Sequence, residues 1–302
     1  MKNVLILGGT TFNSIIYLKN LPKPEPQTIP YAPFNETIGS TGAGKALNLT
    51  KLKVLNTLHS IIGQDVYGEK IVKILKGAGV KFIYDIDPKG TERHVNLMDE
   101  NGGRISIFVA QSSSELALDM AKIEEEIKNC DVIILNIIGY TKQLIPLLKK
   151  YNKPVWTDLH DYNIGNQYHE DFIELADYIF VSSDNMKDYR PVMEKWMAKG
   201  KELVVCTHGK YGSTALTKDG RWIETPIIED YKFVDANGAG DSFFSGFLYY
   251  YLKDKTVDEC LKLGTICAGL CITSKELAFE GLSEEIVNIE YEKHYKFRKD
   301  IR

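Results

Sequence analysis

The chain lacks most of what would send it out of the cytoplasm or onto a membrane or nucleic acid. No apolar run approaches the roughly 18–20 residues that a bilayer-spanning helix needs. The N-terminus offers one lysine and an apolar stretch of only four residues, 4–7, before Gly8-Gly9, too short for the core of an export signal. Cysteine is sparse: Cys130, Cys206, Cys260, Cys267 and Cys271 are an odd, scattered set of five with no C-x-x-C pair. That argues against a disulfide scaffold or a zinc knuckle and for a reducing, cytoplasmic setting. There is no basic excess either. Lys and Arg number 37 against 41 Asp and Glu, a formal charge of -4, so neither a nucleic acid nor a membrane surface is an expected partner. Half of the ten prolines fall in residues 21–33 (LPKPEPQTIPYAP), which excludes a helix or a central strand there and leaves an extended connection or a sheet edge.

What remains is ordinary globular composition, 44% apolar and 26% charged over 302 residues, enough for a large core. Short β-branched runs at 4–7, 54–62, 80–86, 132–135, 155–157, 178–181 and 203–206 alternate with amphipathic stretches at 68–76, 119–128, 142–150 and 185–198. Several of the runs are apolar at every position, as strands covered on both faces should be. The alternation predicts an α/β fold around a mostly parallel sheet. Residues 92–98 and 104–109 flank Asp-Glu-Asn-Gly-Gly and read as a hairpin, expected to form a small separate sheet. Residues 242–252 (SFFSGFLYYYL) and 261–272 have no polar face, so both are expected to be buried helices.

The turn before the first buried helix reads Val234-Asp235-Ala236-Asn237-Gly238-Ala239-Gly240-Asp241. Glycines there let backbone amides approach a ligand, and the helix N-terminus adds partial positive charge, so the turn suits an anion such as phosphate. Asp241 at its rim would repel a merely bound phosphate. It makes sense as the acceptor of a proton from an attacking hydroxyl; taken alone, it would equally serve as a helix N-cap.

This string, with Ser242-Phe243-Phe244-Ser245-Gly246-Phe247 after it, resembles the signature of the ribokinase-like (PfkB-type) carbohydrate kinases, Asp-Thr-x-Gly-Ala-Gly-Asp, with Ala236 in place of the threonine. The resemblance runs over nearly the whole chain. It implies a three-layer ribokinase-like α/β fold with a small β-sheet lid, the core being residues 1–9, 40–88 and 113–302 and the lid 10–39 and 89–112. By resemblance Asp241 is the catalytic base and the Gly238, Ala239 and Gly240 amides hold the transferring phosphate.

The stretch Ala43-Gly44-Lys45-Ala46-Leu47-Asn48 resembles the family's substrate motif, which implies that Gly44, Lys45 and Asn48 lie against the acceptor. The same stretch imitates a P-loop, but Ala46 stands where the magnesium-binding hydroxyl would be. Asn13 occupies the place of a sugar-binding Asp, and Asp158, His160 and Asp161 close a strand where α/β proteins bind ligands. Val204-Val205-Cys206-Thr207-His208-Gly209-Lys210-Tyr211-Gly212 resembles the family's nucleotide strand and turn, implying ATP contacts from Thr207, Gly209, Lys210 and Gly212, with Asp235 and Asn237 on the same side. Asp65 in Gly63-Gln64-Asp65 is expected to cap the next helix.

The family's Asn-x-x-Glu motif is altered: Ser182 and Asn185 stand at its ends, with Asp184 one residue off, so the Asp184–Asn185 region is the candidate for magnesium. The resemblance implies ATP and Mg2+ as cofactors, leaves a monovalent cation open, and implies a homodimer paired through the lid. The expected function is transfer of the γ-phosphate of ATP to a sugar or nucleoside hydroxyl. The alternative is a catalytically weak or inactive sugar- or nucleotide-binding regulator of the same fold, and a third reading is a P-loop ATPase using Lys45.

Overall fold

The computed structural model describes residues 2–100 and 102–296. Asn101 of the expected hairpin turn, residue 1 and residues 297–302 lie outside them. The elements run β1 (Asn3–Leu7), β2 (Thr11–Leu18), β3 (Phe34–Gly39), α1 (Thr41–Lys51), β4 (Leu55–Ile62), α2 (Val66–Gly77), β5 (Lys81–Ile86), β6 (Arg93–Asp99), β7 (Arg104–Ala110), α3 (Met120–Asn129), β8 (Val132–Asn136), α4 (Ile145–Tyr151), β9 (Val155–Asp158), α5 (Glu170–Leu175), β10 (Tyr178–Ser182), α6 (Arg190–Ala198), β11 (Leu203–Thr207), β12 (Ser213–Thr217), β13 (Trp222–Thr225), α7 (Ala239–Tyr251), α8 (Val257–Cys271) and α9 (Glu284–Tyr291).

Nine strands form the main sheet in the order β13-β12-β11-β10-β9-β8-β1-β4-β5, parallel from β11 to β5. All of the apolar runs picked from the sequence are in it. The strands β12 and β13, not expected from the sequence, extend it antiparallel; their Ser, Thr and Glu residues hide the apolar signal. Alternation along each strand separates two cores. Val4, Ile6, Val132 and Ile134 face α1, α2, α7, α8 and α9, while Leu5, Leu7, Ile133 and Leu135 face α3 to α6. This is the expected three-layer arrangement.

Two helices start later than the sequence pattern suggested, for the same reason. Pro146 and Pro191 sit in the first turns of α4 and α6, where a missing N–H costs nothing. The stretch 139–144 is a 3-10 turn, and 185–189 is not helical. Asp65 caps α2 as expected, accepting from the Tyr67 and Gly68 amides at 3.0 and 2.9 Å. Thr256 and Glu259 form a capping box on α8.

A second sheet has the order β3-β2-β6-β7. The hairpin β6–β7 was expected from the residues; β2 and β3 lie in the lid stretch 10–39 that the resemblance implies, but they were not read as strands, residues 34–39 being polar and following the prolines. The Pro-rich stretch 19–33 is the irregular link between them. On one face of this sheet Asn13, Ile15 and Tyr17 share register with His94, Asn96 and Met98, and Tyr17 reaches the main body, its hydroxyl donating to Asp235 at 3.2 Å.

Candidate active site

In the main sheet the chain runs outward from β1 in both directions, so the crevice lies at the carboxyl ends of β1, β8 and β9, where open α/β sheets take ligands. The N-terminus of α1 presses into this crevice. A Cβ on Gly42 would meet the Gly9 carbonyl oxygen at 2.5 Å, so no side chain fits there. On the far side, α7 starts at the same edge. Gly238, with φ +81, caps it, and a Cβ there would strike the Leu277 carbonyl oxygen at 2.4 Å. Only glycine satisfies both demands. The rest of α7 is packed by Phe243, Phe244 and Phe247, each at most 5% exposed, worth about 1.5–3 kcal/mol apiece. Its first turn is therefore held firmly.

Asp241 lies in that first turn, 8% exposed. Lys45, on α1 and fully buried, places its Nζ 2.5 Å from Asp241 Oδ1 and 3.2 Å from Asp158 Oδ2 at the end of β9. The Phe244 ring lies 4.7 Å from the ammonium. His160 follows Asp158 in a left-handed conformation, φ +53; its amide donates to Asp158 Oδ1 at 3.0 Å, and its Nδ1 lies 3.5 Å from Asp158 Oδ2. Four chemistry-bearing residues from distant parts of the sequence thus share one point.

Their ionisation is set jointly. Burial pushes the Asp241 carboxyl above its ordinary range, and the Lys45 ammonium pulls it only part of the way back. Burial also works against the charge on Lys45, but Asp241 and Asp158 outweigh it and raise the amine above its usual value. For Asp158, burial is overcome by His160 and Lys45, and the carboxyl is held below its usual range. The balance of burial and neighbouring charge thus favours the charged forms of Lys45 and Asp158 and disfavours that of Asp241.

Beside Asp241, the turn presents donors without acceptors. Among the described residues, the Gly238, Gly240 and Asp241 amides have no hydrogen-bond acceptor, and Asn237 Nδ2 is buried and unpartnered. The Ala239 amide is different: it donates to the Ala236 carbonyl at 3.2 Å, so the expected trio of amides loses its middle member to the turn itself and gains Asp241's own.

Other expected site residues sit elsewhere. Asn48 is fully buried, its Nδ2 donating to the Gly44 carbonyl at 2.8 Å and its Oδ1 accepting from Ser242 Oγ at 3.0 Å; it joins α1 to α7 and has no surface for an acceptor. Lys45 is fully buried, its ammonium between the Asp158 and Asp241 carboxylates, the setting of an ion pair and not that of an open P-loop. Asp235 is turned inward, accepting from the Asn237 amide at 2.8 Å and from Tyr17, so it shapes the turn and does not face a nucleotide. Gly212 has φ +98 and serves packing, since a Cβ would run into the Thr225 carbonyl. Gly209 and Lys210 are exposed at the tip of the β11–β12 turn. Thr207 pairs in register with Ser182, two residues beyond the Phe180 that pairs with Asp158, putting Thr207 two strands over and two residues along, about 12 Å from Asp158.

Asn13 is 4% exposed, and its Oδ1 has no partner. Asn185 Nδ2 donates to the Asp161 carbonyl at 2.7 Å, tying the β9 turn to the one after β10; the Asp184 side chain is exposed. No group of three or more His, Cys, Asp or Glu among the described residues is arranged to hold a metal by itself. The link from Lys45 to Asp241 and Asp158 was missed in the sequence. The signal was present: a single lysine in TGAGKALNL, otherwise small and apolar, must be buried and therefore paired.

Residues 1–283 match the pattern of the pfkB family carbohydrate kinases. An acarbose 7(IV)-phosphotransferase from Actinoplanes sp. is 28% identical over 276 residues, covering 90% of this chain and 92% of that one. The structure of a microbiome-derived acarbose kinase, 27% identical, superposes with a TM-score of 0.86 over 95% of this chain and 98% of that one. Arabidopsis thaliana ribokinase, solved with ribose and ATP, shares the fold at 21% identity and a TM-score of 0.75, covering 96% of this chain and 98% of that one.

Proposed function

Because the chain belongs to the pfkB family of carbohydrate kinases, we propose that it transfers the γ-phosphoryl group of ATP to a hydroxyl of a sugar or nucleoside. The observation that carries this reading is the pairing of one buried carboxylate, Asp241, with unsatisfied amide donors in the same turn. An acceptor hydroxyl beside Asp241 Oδ2 gives its proton to that oxygen as its own oxygen attacks the γ-phosphorus. The bond from that phosphorus to the β,γ-bridging oxygen breaks, and ADP leaves. The Gly238, Gly240 and Asp241 amides, with Asn237 Nδ2, offset the charge on the transferring phosphoryl oxygens.

Thr207, Gly209 and Lys210 take the nucleotide along the β11–β12 turn. Asp184 is the exposed carboxylate that would hold the waters of a magnesium ion on the nucleotide phosphates, and such an ion would supply charge neutralisation there. The second sheet, residues 10–39 and 89–112, covers the acceptor side as a lid, with the unpartnered Asn13 Oδ1 and Asn96 Oδ1 as its hydrogen-bonding groups. Its outer edge carries Ile105, Ile107, Phe108 and Val109, 39–63% exposed. An exposed apolar edge strand needs covering, and a second copy of the chain is our proposed cover.

The test is an ADP-release screen over sugars, sugar phosphates, nucleosides and acarbose. Turnover of at least one acceptor with stoichiometric phosphorylated product supports the reading. The neutral Ser182 and Asn185 motivate the regulatory alternative; calorimetry showing tight ATP or sugar binding with no ADP release from any acceptor would favour it.

A further inference from the structure

The buried lysine is the feature that phosphoryl transfer, as described, leaves unused. Two adjacent residues of α1 act on the two oxygens of one carboxylate. Lys45 holds Asp241 Oδ1 at 2.5 Å. Gly44 stands beside Oδ2, where even a Cβ would come within 2.5 Å, so α1 leaves room at that oxygen only because residue 44 has no side chain. A lysine serving only to fasten α1 to the sheet would be satisfied by Asp158; here the shorter contact is to Asp241.

We infer that Lys45 is a positioning residue for the reaction: its ammonium, wedged between Asp241 and Asp158, fixes the Asp241 carboxylate with Oδ1 engaged and Oδ2 turned to the acceptor, and keeps it ionised inside the protein. The inference rests on the kinase reading above. It extends that reading by making the base's charge state depend on a residue that touches neither substrate nor nucleotide.

The groups facing Asp241 come from each element packed around it. Lys45 comes from α1, Asp158 and His160 from the end of β9 and Cys271 from α8. Lys45 and His160 favour the charged carboxylate; burial and Asp158 oppose it. The signs then follow for single changes. Lys45→Met removes the offsetting cation and leaves two buried carboxylates competing for one proton, so the Asp241 pKa rises. Asp158→Asn removes the competing anion and leaves Lys45 to Asp241 alone, so that pKa falls. A lysine with only a structural role predicts no such opposed pair.

The experiment measures kcat and kcat/KM against pH for wild type, Lys45→Met and Asp158→Asn, with thermal midpoints recorded for each. Independently of turnover, carboxyl 13C NMR follows the Asp241 resonance in protein carrying labelled aspartate, assigned by its loss in Asp241→Asn. The expected result is an acidic limb, and an Asp241 midpoint, displaced upward by about one pH unit or more in Lys45→Met and downward in Asp158→Asn. ATP KM should be nearly unchanged in both. A Lys45→Met enzyme slowed by the same factor at every pH, or an unmoved Asp241 midpoint, overturns the inference. Should Lys45→Met not fold, Asp158→Asn decides alone, and a limb that stays or moves upward overturns it. If the wild-type chain turns over no acceptor, the kinase reading fails separately, and the NMR midpoints still decide whether Lys45 sets the charge of Asp241.

Discussion

Replacing Asp241 by Asn tests the chemistry with the least disturbance to the fold. The amide has the same shape, can still accept from Lys45 through its carbonyl oxygen, and cannot take up a proton. A positioned general base contributes about 10²- to 10⁴-fold, or about 2.7–5.4 kcal/mol of barrier at 1.36 kcal/mol per decade, so kcat should fall by that factor. Stability should fall far less than for an orphaned buried charge, because Lys45 keeps Asp158 at 3.2 Å as its counter-ion. The loss is that of one charge-assisted hydrogen bond, about 1.5–3 kcal/mol. At about 1.6 °C per kcal/mol for a chain of 302 residues, the thermal midpoint drops by about 2–5 °C. Initial-rate kinetics with the acceptor found in the screen, ATP titration by calorimetry and thermal unfolding measure the three quantities. ATP affinity should stay within a few-fold of wild type, since the nucleotide contacts proposed here do not involve this side chain. A variant that turns over within tenfold of wild type would falsify the role of Asp241 as base.

Other perturbations have equally definite signs. Gly44→Ala puts a methyl group within 2.5 Å of Asp241 Oδ2, so kcat should fall at least about tenfold by displacing the base, and an unchanged rate would show that Oδ2 is not the working oxygen. Burial works against the charge on Asp65, but amides of Gly68, Thr91 and Tyr67 and the Thr91 hydroxyl hold its carboxyl below the ordinary value of 3.8. Its stabilisation is therefore present above that pH and lost as pH falls through the lower folded value. Asp65→Ala should cost about 0.5–2 kcal/mol at pH 7, and in urea titrations the gap from wild type should close on acidification; a gap constant with pH would contradict this. Ile107→Glu, on the exposed β7 edge, should convert the proposed dimer to a monomer in light scattering, and a wild type that is already monomeric would refute the pairing.

The amino-acid sequence by itself determined the layered fold and the Gly-rich turn before α7. Val132 to Leu135 are apolar at every position, which forces a strand covered on both faces. With no polar face along 242–252, α7 must be a buried helix, so the glycines and Asp241 at its start had to sit on a rigid support. Those are local patterns, and local patterns are legible along a chain. The strands β2 and β3 were not legible, because they belong to a sheet whose pairing is non-local: Asn13 pairs with His94, about 80 residues on, and Thr37 pairs with Asn13 across about 25 residues that hold the Pro-rich link. Nor could the sequence decide between a lysine that binds phosphate, one that touches substrate and one that steadies a base. That depended on α1, β9 and α7 meeting at one point, bringing residues 45, 158 and 241 within hydrogen-bonding distance. An ammonium takes its role from the charges around it, and only the folded chain supplies them.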